Sequence, residues 1–441
     1  MFNPTSPWAT KNIRGFQISF AGSISIDNYY FYRGNEAINF ISNLFTPKFT
    51  ITNLQKYSYF GTFGFIIRKN NEYLAVSDHI SSYPILYTEK CVTFSSEKLF
   101  KNIGKKLLNF NQAHIFASSG YTIGSQTLYK GINRLLPGSL LLVRPDAVKI
   151  KRHFKYIPKS NNSFSDRVLI NNLEELFLSI LERIKDESHG REIIVPLSAG
   201  YDSRAIISGF KKIGVKNIHA ISYGLKGNFE SKTAEIVAKK LSYKYSFVPL
   251  TRKSQREYFR SELCSKYTEF SDCFSAIPFQ QDLPPMFKML KKKKIQLDVI
   301  VVNGQSGDFI AGNHIDKKLL SKDFTLIDLT KVIRNKHFAL WKKFSDYKHE
   351  NLLFTMIEKN YDIKSDIEYW SLFENIEYEN RQSKYVLGGQ RVYDFLGLDW
   401  EIPFWDRKLV EFWRDTVSIE NKLNQALYKK MLKEKNWGGV W

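Results

Sequence analysis

The chain has 441 residues, 43% hydrophobic, 15% aromatic and 25% charged, which marks a globular protein long enough for two domains with sizeable cores. Cys91, Cys264 and Cys273 are too few and too scattered for a disulfide framework or a zinc site, and fit a reducing compartment. The net charge of +21 raises a nucleic-acid or anionic-membrane partner, but the lysines are dispersed and the one dense run, Lys291-Lys292-Lys293-Lys294, reads as solvated surface, so no nucleic acid is expected.

Taken in order, the chain opens with Met1-Phe2-Asn3-Pro4, which lacks the basic-then-apolar pattern of a signal peptide. No apolar run approaches the roughly 18–20 residues of a membrane span, so a soluble cytoplasmic protein is expected. Residues 14–155 read as mostly β. Short runs at 17–21 and 29–32 are split by Ser/Asp/Asn turns. Runs at 60–67 and 73–76 flank Lys69-Asn70-Asn71, a hairpin signal. The meander continues at 84–87 and 92–94, and closes at 140–143 and 148–150 after the Pro137-Gly138 turn. Helices fit 37–44 and 96–107. Together these predict a layered α+β domain over 1–157.

The polar stretch 158–165 begins a linker assigned to 158–170. Leu173, Leu176, Phe177, Ile180, Leu181 and Ile184 then recur at helical spacing. Beyond them strands and helices alternate. Strand 193–197 leads to helix 203–213, strand 218–223 to helix 231–241, and strand 245–250 to a polar helix near 253–268. Strand 299–302 ends in a second small-residue loop. Such alternation predicts a doubly wound parallel sheet over 171–441, with a helical, aromatic-rich part from about 325 onward. Ligands of such sheets bind at the carboxyl ends of strands, near a topological switch point.

Two loops at such strand ends carry the chemistry. Ser198-Ala199-Gly200-Tyr201-Asp202-Ser203 joins an apolar strand to a helix N-terminus, where open N–H groups and the helix dipole suit an anion such as phosphate. Ser198 and Ser203 add hydroxyl donors. Asp202 repels a phosphate unless a cation sits between them, so it reads as a Mg²⁺ ligand, with a helix N-cap as its structural alternative. The second loop, Asn303-Gly304-Gln305-Ser306-Gly307-Asp308, supplies a second carboxylate, Asp308. The two would hold one Mg²⁺ that offsets charge as pyrophosphate leaves. Neither a Walker A nor a Rossmann fingerprint is present.

These residues resemble the asparagine synthetases and their relatives, the N-type ATP pyrophosphatases. The first loop is similar to the family's S-G-G-x-D-S pyrophosphate loop. Glu230-Ser231-Lys232-Thr233-Ala234 with Val237, Ala238 and Leu241 resembles its D-E-x-x-x-A-x-x-V-A-x-x-L helix. Residues 304–312 resemble G-E-G-x-D-E-x-x-G, and Pro403-Phe404-Trp405-Asp406 resembles the start of P-F-L-D-x-x-L-V. In the N-terminal half, Asp78 with Tyr83-Pro84-Ile85-Leu86-Tyr87, then Phe94-Ser95-Ser96-Glu97, then Leu136-Pro137-Gly138, look like the family's ordered motifs. The resemblance implies an N-terminal domain like a class II glutaminase and an ATP- and Mg²⁺-dependent, AMP-forming amide ligase. A small-molecule or peptide carboxylate would be adenylated, and a nitrogen nucleophile would displace AMP. It also implies that Leu197, Ile221, Ser222, Asn303 and Gly304 contact the nucleoside, and that Gln305 stands at the position of the loop's acid.

The departures qualify this reading. Phe2 stands where a class II glutaminase has its nucleophilic cysteine, and the R-G-P-D and N-G-E-I-Y-N glutamine-binding motifs are missing. The domain is therefore expected not to hydrolyse glutamine, leaving free ammonia, a partner glutaminase or a substrate amine as nitrogen source. Gln305 replaces the loop Glu and Phe309 the next acid. Ala199 for Gly requires a negative φ. The chain ends at Trp441, before the family's Lys-bearing loop, which leaves open a truncated sequence, another cation, or impaired activity. The alternatives are a nucleotide-binding assembly partner, a β-lactam- or macrolactam-type cyclase, and a tRNA-modifying pyrophosphatase, with a homodimer left open. Trp405 and Trp413 read as core, the eight His form no metal pair, and Arg391 and Tyr393 fit either an acceptor pocket or packing.

Overall fold

A computed structural model describes residues 6–26, 30–97, 99, 107–341, 343, 347–363 and 367–441. Phe2, part of the expected strand 29–32 and most of the expected helix 96–107 lie outside the described residues.

The N-terminal half is antiparallel. Its strands are β1 (Ala9–Ile13), β2 (Phe16–Ile26), β3 (Tyr32–Arg33), β4 (Tyr59–Phe60), β5 (Phe63–Lys69), β6 (Glu72–Ser77), β7 (Leu86–Tyr87), β8 (Val92–Thr93), β9 (Asn133–Arg134), β10 (Ser139–Arg144) and β11 (Ala147–Arg152). An eight-stranded sheet runs β1-β2-β5-β6-β10-β11, with β3 and β4 pairing to β2, and a three-stranded sheet runs β8-β7-β9. The β5–β6 hairpin turns on Asn70 at φ 52°, as the Lys69-Asn70-Asn71 signal implies. Period-2 alternation sends Phe20, Phe65, Ile67, Leu74 and Leu142 to one face, against helix α1 (Gly34–Phe45). Ile66, Ala75, Leu141 and Val143 take the other face, against Tyr87 and Val92 of the small sheet and the adjoining Ile85. Helix, sheet and sheet form the layered α+β arrangement.

Coil over 158–164 leads to α2 (Asp166–Ser188), which buries Leu169, Leu173, Phe177, Ile180, Leu181 and Ile184 as one stripe. Then come β12 (Ile193–Pro196), α3 (Tyr201–Lys212), β13 (Ile218–Gly224), α4 (Phe229–Lys240), β14 (Lys244–Pro249), α5 (Leu283–Lys291), β15 (Ile300–Val302), α6 (Gly307–Ile310) and β16 (Asp399–Glu401). Every strand pair is parallel, in the order β14-β13-β12-β15-β16. The chain builds outward from β12 to β14, then crosses back to β15 on the other side. The switch point therefore lies between β12 and β15, and the two loops named above follow those two strands. Ile193, Ile194, Val195, Val301 and Val302 are almost wholly buried, as strands covered on both faces must be.

The C-terminal part is helical. A π-helical stretch Tyr378–Val386, α7 (Arg407–Asp415) and α8 (Ala426–Lys435) pack in the core of the parallel sheet, whereas the helix Tyr369–Glu377 packs in a separate helical cluster with Leu329, Ile333 and Leu353. Trp405 and Trp413 are core residues, 1% and 2% exposed. The two halves are knit together. His79 Nε2 meets Trp405 O at 2.7 Å, Tyr378 OH donates to His79 O, and Arg407 donates to Tyr59 O. No helix among the described residues is long and apolar enough to cross a membrane.

Candidate active site

The switch point holds a cleft of about 420 Å³. Leu197, Ser198, Gly200, Asp202, Ser203, Ile221, Ser222, Asn303, Gly304, Gln305 and Asp308 all line it. Ala199 and Tyr201 do not. The Ala199 carbonyl accepts from Arg204 Nη2 at 2.7 Å, and Tyr201 stacks on Trp441 with ring centroids 5.8 Å apart. Ala199 is not at positive φ, so its methyl costs the loop no strain.

The first loop is tied by its own hydroxyls. Ser198 N–H donates to Ser203 Oγ and Gly200 N–H to Ser198 Oγ, both at 3.1 Å. Gly200 caps α3 without a side-chain acceptor, so the first-turn N–H groups beside the cleft keep their capacity for an anion. Asp202 is in the first turn of α3 and does not cap it. Its Oδ2 accepts Asp308 N–H at 2.9 Å, and the carboxylate is buried beside the Tyr428 phenol and the Gly307 N–H. Burial, then the nearby Asp308 carboxylate, pushes the Asp202 pKa up to about 8. Tyr428 of α8 packs its phenol against this carboxylate.

The second loop sits tightly on the first. A Cβ on Gly304 would lie 2.8 Å from Ser203 N, and one on Gly307 2.5 Å from Asp202 Cγ. Only glycine lets the two strand-end loops close on each other at these points. Asn303 Oδ1 accepts Gln305 N–H at 3.0 Å, and Ser306, at φ 72°, donates its hydroxyl to Gln382. Asp308 carries the second carboxylate to the cleft. Burial alone would raise its pKa, but the His314 contact at 3.2 Å and the Phe309 N–H outweigh this and lower it. His314 also bonds Glu377, and the two acids outweigh burial to raise its pKa to about 9. Gln305 lines the cleft with its amide oxygen accepting from Gln390 Nε2 at 2.6 Å. An amide so placed orients ligands but transfers no proton.

Sequence reasoning missed His314, Glu377, Tyr428, Gln390 and Asp282. None belongs to a local motif, and the fold gathers them from distant segments. His314, six residues after Asp308, was the one visible clue. Arg391 does not line the cleft; its guanidinium lies 4.5 Å from the Tyr83 ring centroid. Tyr393 is fully buried, and its phenol reaches Asp282 and Asn303.

The donor set fits a hard, oxygen-seeking cation such as Mg²⁺ bound together with phosphate. Two carboxylates converge beside hydroxyls and helix N–H groups. Among the described residues no three His, Cys, Asp or Glu side chains are placed to hold a metal on their own, so phosphate oxygens would have to complete the shell.

The asparagine synthase family matches residues 188–435, a stretch that contains both loops. No curated protein matches. Similar solved structures include the allosteric regulatory enzyme of purine biosynthesis, at 10% identity over 55% of this chain and 63% of that one, TM-score 0.21. Another is the glutamine phosphoribosylpyrophosphate amidotransferase from B. subtilis complexed with ADP and GMP, at 10% over 68% and 58%, TM-score 0.20. A third is a glutamine-dependent NAD(+) synthetase from Cytophaga hutchinsonii, at 10% over 71% and 63%, TM-score 0.23. Each match spans less than two thirds of the other chain's length.

Proposed function

The chain belongs to the asparagine synthase family, and from that premise we propose that it is an ATP-dependent, AMP-forming amide ligase. The observation that carries the reading is the pairing of Asp202 and Asp308 across two loops locked together by Gly304 and Gly307. A substrate carboxylate attacks the α-phosphorus of ATP, pyrophosphate leaves into the cradle of Ser198, Gly200 and Ser203, and an amine or ammonia then displaces AMP. Asp202 and Asp308 would hold Mg²⁺, which would supply charge neutralisation for the phosphates. The protein's own part is to orient and to hold charge. Helix α3 and the serine hydroxyls bind phosphate oxygens, and the enclosed Asp202 takes up cation rather than proton. His314 and Glu377 fix Asp308. The missing glutamine-binding motifs favour ammonia or a substrate amine over glutamine hydrolysed by this chain.

Gln305 favours one other reading, a nucleotide-binding relative that assembles with a partner, because the amide beside Gln390 offers no acid or base. Pyrophosphate release from ATP and Mg²⁺, screened against candidate carboxylates, separates the two. Carboxylate-dependent release that falls at least about 100-fold in Asp202→Asn supports the ligase. ATP binding with no pyrophosphate from any carboxylate supports the assembly partner, and no ATP binding sinks both.

A further inference from the structure

Besides Asp202 and Asp308, the cleft is lined by two further carboxylates, the exposed Glu230 and the buried Asp282, and neither the phosphate cradle nor the Asp202–Asp308 pair uses Asp282. Asp282 is 5% exposed and lines the same cleft as Ile221, Ser222 and Asn303. It occupies the N-cap position of α5, yet its side chain caps no helix N–H. An aspartate at an N-cap ordinarily accepts such a bond, so the carboxylate has been turned elsewhere. Two phenols hold it. Tyr223, from the end of β13, donates to Oδ1, and Tyr393 donates to Oδ2 at 2.6 Å. Asn303 Nδ2 approaches Oδ2 at 3.5 Å and also meets the Tyr393 phenol at 3.0 Å.

An ionised carboxylate has about four acceptor sites, so these three donors leave capacity unused. Burial raises the Asp282 pKa, and the two phenols offset only part of that rise. A buried acceptor with spare capacity in a ligand cleft selects a ligand that donates. Phosphate has no proton to give here and would be repelled. The position is also wrong for phosphate, because Asp282 contacts Asn303, at the β15 end of the second loop, whereas Asp202 meets the other end at Asp308. With the triphosphate at the N-terminus of α3, the rest of a nucleotide must extend along the ends of β12 and β13, toward Ser222, Tyr223 and Asp282.

We propose that Asp282, clamped by Tyr223 and Tyr393, accepts hydrogen bonds from the ribose hydroxyls of the nucleotide and makes the site selective for ribonucleotides. The proposal rests on the ATP reading of the cleft. A site built around a buried acceptor penalises an analogue that lacks the hydroxyl, because the acceptor is desolvated with nothing in return.

The test is calorimetric binding, with Mg²⁺ present, of ATP, 2′-deoxyATP, 3′-deoxyATP and inorganic pyrophosphate to the full chain and to Asp282→Asn and Asp282→Ala. The unmodified protein is expected to bind at least one deoxy analogue about 10- to 100-fold more weakly than ATP. That ratio is expected to shrink in Asp282→Asn and to approach one in Asp282→Ala, while pyrophosphate binds all three proteins alike. A merely structural role for Asp282 would weaken all nucleotides together and leave the ratio intact. ATP and both analogues binding equally to the unmodified protein overturns the assignment, as does a ratio unchanged in both variants. If neither ATP nor pyrophosphate binds, it is the ATP reading itself that has failed.

Discussion

At the scale of single residues, Asp202 is the group whose chemistry is most exposed to test. Its ordinary pKa of 3.8 is pushed up to about 8, by burial first and by Asp308 second. The folded protein thus keeps a proton that the unfolded chain releases. Stability from this group is complete below pH 3.8 and is lost as pH climbs through about 8. His314, raised from 6.5 to about 9 by Asp308 and Glu377 against the opposing effect of burial, acts in the same direction in the next window up. The metal-free protein should therefore lose thermal stability between about pH 6 and about pH 9, less so in Asp202→Asn. A cation replaces the proton, so Mg²⁺ with pyrophosphate should raise Tm more at about pH 8.5 than at about pH 6. Scanning fluorimetry across that range measures it, and an equal shift at both pH values would contradict a metal role for Asp202. Asp202 and Asp308 were legible in the sequence because each stands in a small-residue loop just after an apolar run. Tyr428 and Glu377 were not, since a tyrosine in a lysine-rich helix and a glutamate among aromatics resemble ordinary packing and surface residues until the fold brings them behind the cleft, against Asp202 and His314.

At the scale of elements, the site depends on two loops meeting without side chains between them. Gly307 is not at positive φ, so alanine there meets no backbone strain. Its added methyl would instead lie 2.5 Å from Asp202 Cγ and force the carboxylate from its bond to Asp308 N–H. Gly307→Ala should lower pyrophosphate release about 10- to 100-fold through misplacement, at a stability cost of about 1–3 kcal/mol. Gly388→Ala is the matched control. Gly388 also lacks positive φ, and a Cβ there meets nothing within 4 Å. Assaying both variants for pyrophosphate release and Tm checks the argument, which fails if they lose activity equally. The strands that carry the loops were legible because strands buried on both faces read as unbroken apolar runs. The start of α3 was less so. The helix begins at Tyr201 rather than at 203 because Gly200 supplies the cap, and this moves Asp202 from capping position into the first turn. Strand β16 was not legible at all. Its Asp399-Trp400-Glu401 has no strand pattern of its own, and its pairing with β15 defines it.

At the scale of the molecule, the two halves share polar contacts that no local pattern announces. The segment around Thr122–Leu128 bonds Phe274 and Ser275 of the other half through backbone, and the buried Lys384 side-chain nitrogen donates to Thr122 O and Gly124 O at 2.7 Å. A reading by period alone assigns such a segment to its sequence neighbours, because it sees only nearby spacing. His79 is one titratable group of this seam. It is 1% exposed, its ring meets Trp405 O, and burial, then Arg407, lowers its pKa to about 3. Here the linkage sign is opposite to that of Asp202. The unfolded chain takes up a proton that the folded one refuses, so stability is complete above the ordinary 6.5 and is lost as pH falls toward about 3. By about pH 4.5 this one histidine should cost about 2–3 kcal/mol. His153, lowered likewise to about 3 by burial, acts in the same window. With Asp202 and His314 limiting the alkaline side, the metal-free protein should be most stable near neutral pH. His79→Gln, which keeps a polar group beside Trp405 O but cannot ionise, should flatten the acid limb while leaving the alkaline limb in place. Urea unfolding at a series of pH values reads both limbs, and an acid limb unchanged in His79→Gln would show that this seam does not govern the acid response.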